Sequence, residues 1–92
     1  MIDNQKILFK FIQINDNVNW TDISYNYNLS LNFIREFKNK VDWYCISIIQ
    51  KLSENFIREF QDKIDWEYIS EYQKLSEKFK SEFKEKFVGA IY

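Results

Sequence analysis

The sequence predicts an all-α fold, a solenoid-like stack of short helix pairs (an αα repeat) with a period of 23 residues. Three observations predict it. Residues 18–40, 41–63 and 64–86 are versions of one text: VNWTDISYNYNLSLNFIREFKNK, VDWYCISIIQKLSENFIREFQDK and IDWEYISEYQKLSEKFKSEFKEK. A fixed short period marks a stacked repeat protein, in which each unit shelters the apolar face of its neighbour. The chain has no proline and one glycine, Gly89, which suits helices joined by short turns better than sheet with tight hairpins. Aromatic residues make up 20% of it, nine Phe, six Tyr and three Trp, so every unit can bring large side chains to a shared core. Burying one aromatic contributes roughly 4–6 kcal/mol, an upper bound because unfolded chains are already partly collapsed. We therefore expect one domain over residues 1–92, a right-handed stack with an N-terminal capping helix in 1–17 and a truncated C-terminal cap in 87–92.

Taken in order, residues 5–14, QKILFKFIQI, place Ile7, Leu8, Phe11, Ile12 and Ile14 on one side of a helix. Counting back 23 aligns Phe11 with Ile34 and Ile14 with Phe37, so this helix reads as a degenerate second half of a repeat. Asp3 or Asn4 is its expected N-cap.

The first half of each full unit begins at Asn19, Asp42 or Asp65, just before Trp20, Trp43 or Trp66. An Asn or Asp there can accept a hydrogen bond from a free backbone N–H at the helix start. The pattern W-x-x-I-S then puts Trp, Ile and Ser on one face, with the small Ser letting a neighbouring helix come close.

The second half begins at Leu-Ser. Ser30, Ser53 and Ser76 are the expected N-caps, and Leu29 and Leu52 can staple onto Ile34 and Ile57; Lys80 breaks the staple in the third unit. Phe33, Ile34, Phe37 and Val41 form the buried stripe, while Arg35 and Arg58 should point to solvent. Helices of about eight and ten residues are expected, too short to hold alone in water. In the terminal unit, Lys80 and Ser81 replace Ile and Arg, and Gly89 stands in the Trp position.

Composition narrows the function classes. The net charge is −1, and the sums for 1–17, the three units and 87–92 are 0, +1, −1, −1 and 0. No segment is a basic footprint, so nucleic acid is an unlikely partner. The lack of a membrane-length apolar run or a signal pattern predicts a soluble, cytoplasmic protein. Histidine is absent and Cys45 is the one cysteine, which removes the usual general base and any zinc site. Cys45 in YCISIIQ has no visible base partner and reads as a small apolar residue. Carboxylate pairs such as Glu36 and Glu59, or Glu59 and Asp62, alternate with Lys and Arg as solvated helix faces do. The chain reads as a non-enzyme without cofactor or metal.

The motif D-W-x-x-I/L-S, a short polar turn such as Asn26-Tyr27-Asn28, then L/I-S/T-x-x-F-I and a closing D-K-x-D-W resembles short helical repeats found in many copies in giant-virus proteins and in some low-GC bacterial and phage proteins. It is carried by Asp42-Trp43, Ile46-Ser47, Leu52-Ser53, Phe56-Ile57 and Asp62-Lys63-Ile64-Asp65-Trp66, and covers about residues 18–86. The resemblance implies a viral, phage or mobile-element setting and no particular activity.

One feature is not set by the repeat. Opposite the Trp-Ile face, the first helices carry Asp22, Tyr25 and Asn26, then Cys45, Ile48 and Ile49, then Tyr68, Glu71 and Tyr72. The middle unit is apolar where its neighbours are polar or mixed. Either this face is covered by the N-terminal helix or a chain end, or it is an exposed patch that binds another protein, with Cys45, Ile48 and Ile49 central and Tyr25, Tyr44, Tyr68 and Tyr72 as aromatic anchors. The expected function is a protein-binding module, in sharper form a stoichiometric inhibitor of a host defence protein (anti-CRISPR-like). The alternatives are a self-associating structural protein, which would be a homodimer through the same patch, and a single-strand nucleic-acid binder using Lys74, Lys78, Lys80, Lys84 and Lys86.

Overall fold

The protein is described by a computed structural model covering residues 4–14 and 17–87, with side chains from Lys6 onward. Among the described residues there are eight helices and no strand: α1 (Asn4–Ile14), α2 (Trp20–Asn26), α3 (Leu31–Glu36), α4 (Trp43–Ile49), α5 (Glu54–Glu59), α6 (Trp66–Tyr72), α7 (Glu77–Glu82) and α8 (Lys84–Phe87). The all-α class is as the sequence predicts. Asp3 and Gly89 lie outside the described residues, as does most of the truncated cap.

The paired helices are shorter than expected, seven residues and then six. The second helix stops because Phe37, Phe60 and Phe83 leave helical geometry at φ near −110° and ψ near 30°. A tight turn follows, in which the N–H groups of Lys40 and Val41 both donate to the Phe37 carbonyl. Lys63 and Ile64 repeat this on Phe60. That turn carries Val41 and Ile64 into the core, where both are buried.

Serine starts each second helix as expected. Ser30, Ser53 and Ser76 accept from the N–H groups of Phe33, Phe56 and Phe79 at 3.0–3.1 Å. The first-helix caps are uneven. Asn19 accepts from the Asp22 N–H and Asp42 from those of Tyr44 and Cys45, but Asp65 makes no cap bond.

Helices α2, α4 and α6 pack side by side in chain order. The core runs beneath them, built from Ile23, Ile46 and Ile69 together with Phe33, Phe56, Phe79, Ile34 and Ile57. Each Trp lies half-buried against the Phe that ends its own unit, with ring centroids 5.1–5.2 Å apart for Trp20–Phe37, Trp43–Phe60 and Trp66–Phe83. The indole N–H of Trp43 donates to the Lys38 carbonyl at 2.9 Å, and that of Trp66 to the Gln61 carbonyl at 3.0 Å. The tryptophans are therefore structural, placed to seal the junction between units.

Three kinds of polar bridge tie each unit to the next, and each recurs 23 residues on. Ser24 and Ser47 are fully buried and their hydroxyl oxygens accept from the N–H groups of Asp42 and Asp65. The Gln50 amide reaches back to accept from the Leu29 N–H and to donate to the carbonyls of Ser24 and Tyr27; Gln73 does the same with Leu52, Ser47 and Gln50. Arg35 grips Glu59 and Arg58 grips Glu82, each at 2.9 Å. Each guanidinium also lies over a ring of the following unit, Phe56 at 5.4 Å and Phe79 at 5.1 Å. The two arginines stay at the solvent surface as expected, 40% and 32% exposed, but they are not idle charges. Their cross-unit pairing was not foreseen because counting angles around one helix ignores the helix beside it.

The N-terminal helix also departs from its expected register. Leu8 is buried, but Ile7, Phe11 and Ile14 are exposed, and it is Phe9 that packs on Phe37 at 5.4 Å. Phe11 does not take the place that fully buried Ile34 holds 23 residues later. α1 covers the end of the core without imitating a repeat, because it lacks the serine cap and Leu-Ser start that set the register of α3, α5 and α7.

Candidate functional site

The helical spacing that buries Ile23, Ile46 and Ile69 necessarily turns the opposite flank of α2, α4 and α6 outward. Tyr25, Tyr44, Ile49 and Tyr72 are exposed there at 53%, 50%, 42% and 52%. Tyr68 and Ile48 are half-buried between them. The rings form a chain across two units: Tyr44 meets Tyr68 edge-on at 4.8 Å, and Tyr68 stacks on Tyr72 at 6.1 Å. A hydrogen bond to Tyr44 and the negative potential of Tyr44, Glu67 and Asp65 push the Tyr68 phenol up to about 12. The three rings thus pack on one another along the face.

Six of the seven residues expected on this face are found at its surface or just below it. The seventh is a correction. Cys45 is buried at 4% exposure, not central to a surface patch. Burial, with the carboxylate of Asp42 near, raises the thiol pKa and keeps it protonated. This thiol is not poised as a nucleophile.

What the sequence reading missed is the charge of the face. Summed by repeat, charge is flat; summed by helix, the first helices carry acids only, while the second helices carry both signs. Residues 19–26, 42–49 and 65–72 contain Asp22, Asp42, Asp65, Glu67 and Glu71 and no Lys or Arg. Nine of the Lys and Arg residues fall instead in 30–40, 53–63 and 76–86. A helix-by-helix sum of the same letters would have found it.

A concavity of about 830 Å³ lies between α1 and α3 and is lined by Lys6, Phe9, Lys10, Phe33 and Glu36, among others. Phe33 and Glu36 precede by 23 the ring and carboxylate that hold Arg35, and position 12, where the matching arginine would stand, is Ile12. It is the edge of the stack, where one bridge has no donor. Among the described residues, no group of His, Cys, Asp and Glu could hold a metal ion, and no helix is long and apolar enough to cross a membrane.

Compared with known proteins, the chain matches no protein-family model, no curated protein and no solved structure.

Proposed function

We propose that this protein is a non-catalytic, protein-binding helical-repeat module whose binding surface is the outer face of α2, α4 and α6. The observation that carries this reading is the ring chain Tyr44–Tyr68–Tyr72 with Ile49 and Tyr25, large side chains exposed on the outer side of the same helices whose inner side builds the core. Tyrosine offers wide contact area with few rotamers to freeze, which favours it at interface centres. The resemblance to viral and phage repeats extends the proposal to a stoichiometric inhibitor of a host protein, a role that asks only for a rigid face.

The test compares wild type with an Ile49→Asp, Tyr72→Ala double variant, both sites being exposed so that folding is spared. Capture from cells of the natural host, with circular dichroism of both proteins as control, should show at least one protein retained by wild type and lost by the variant. The same captured set from both proteins would overturn the assignment of the face. Should the captured protein be a second copy, mass measurement in dilute solution would show a dimer that the variant abolishes, and the reading becomes self-association.

A further inference from the structure

We propose that the partner docked on this face is a basic, arginine-bearing protein segment, an inference that rests on the docking reading above and adds the chemistry of the partner. The face is unbalanced: Asp22, Glu67 and Glu71 are exposed, Asp42 and Asp65 half-buried, and no cation stands on α2, α4 or α6 to neutralise them. Charge of one sign beside an apolar strip selects a partner of the other sign and speeds its encounter. Carboxylates on these helices also work against a phosphate backbone there.

The arrangement on α6 selects arginine over lysine. Glu67 and Glu71 stand four residues apart and form one column; Tyr68 and Tyr72 form the next, with their rings stacked at 6.1 Å. A guanidinium can lie flat on a tyrosine ring while its N–H groups reach a neighbouring carboxylate, and a compact, strongly hydrated ammonium does this poorly. The molecule already uses that combination between its own units: Arg58 lies 5.1 Å from the Phe79 ring centre while gripping Glu82 at 2.9 Å, and Arg35 does likewise with Phe56 and Glu59. On α6 the same two kinds of partner face outward. α4 carries no charge, and its Tyr44 and Ile49 supply ground for the aliphatic neighbours of the arginines.

The experiment is fluorescence anisotropy with labelled peptides of repeated arginine-serine-leucine and their lysine and glutamate counterparts, titrated with the whole protein at low and high salt. The arginine peptide should bind best, the lysine peptide more weakly and the glutamate peptide not at all, with affinity falling as salt rises. Glu67→Gln with Glu71→Gln should weaken the arginine peptide about three- to tenfold. Glu77→Gln with Glu85→Gln, on α7 and α8, should leave it unchanged. No binding of the arginine peptide, equal binding of all three peptides, or equal loss in both double variants would overturn the proposal. If capture of a natural partner depends on Ile49 and Tyr72 while the arginine peptide does not bind, the docking face stands and its proposed chemistry falls. Binding of the arginine peptide that survives Ile49→Asp, Tyr72→Ala would show that the tyrosine platform is not used and would overturn the proposal.

Discussion

Single side chains decide whether adjacent units hold together, and Gln50 does most. Its amide, almost fully buried, satisfies one N–H and two carbonyls of the unit before it. Leucine is close in volume but offers nothing to those groups, and an unsatisfied buried polar group costs about 1–3 kcal/mol. Gln50→Leu should therefore destabilise by roughly 2–4 kcal/mol, lowering the thermal midpoint by at least about 8 °C at about 4–8 °C per kcal/mol for a domain of this size. A drop under about 4 °C by circular dichroism would mean the ladder contributes little. In the first unit, Tyr27 stands where Gln50 and Gln73 stand later, and it is exposed. A glutamine there would have no preceding first helix to reach. That Gln recurs in two units was visible in the letters; that each spans two backbone segments was not, since a single amide looks the same whether buried or solvated.

At the scale of one helix, the caps differ in ways composition does not reveal. Asn19, Asp42 and Asp65 occupy equivalent positions and have nearly the same backbone angles. Only the first two accept cap bonds from their own helix, and the Asp42 carboxylate also accepts from the Thr21 hydroxyl at 3.0 Å. Asp42→Ala should cost about 1 kcal/mol of stability and Asp65→Ala under about half of that, measured as the shift in urea midpoint. Equal losses would show that a shared feature, such as charge near the helix start, stabilises these helices instead. Helix type and serine caps were legible from Leu-Ser and Trp-x-x-Ile-Ser. Helix ends were not, because the stop at Phe37, Phe60 and Phe83 follows from swinging Val41 and Ile64 into the core, a tertiary demand.

For the molecule as a whole, the arginine bridges connect unit one to two and two to three on the flank away from the tyrosines. The Arg35 and Arg58 guanidiniums hold the Glu59 and Glu82 carboxyls below the usual value of 4.5. A carboxyl whose folded pKa lies below its unfolded one stabilises the fold at neutral pH, and that contribution is lost as pH falls through the depressed value. Thermal midpoints measured from pH 7 down to 3 should therefore decline below about pH 4.5, and the Arg35→Met, Arg58→Met double variant should start lower at neutral pH and decline less. Parallel curves for the two proteins would show that the bridges are not coupled to folding.

By itself, the sequence determined that the chain is helical, that serines start the second helices, and that Phe33, Ile34 and Val41 are buried. Periodicity and capping are local, and they are written within a few neighbouring letters. Only the tertiary structure decided that Arg35 and Arg58 bind across units, and that Cys45 is inside while Tyr44, Ile49 and Tyr72 are outside. Those outcomes depend on which helices lie side by side, and packing between distant segments assigns a residue its surroundings in a way no spacing along the chain can.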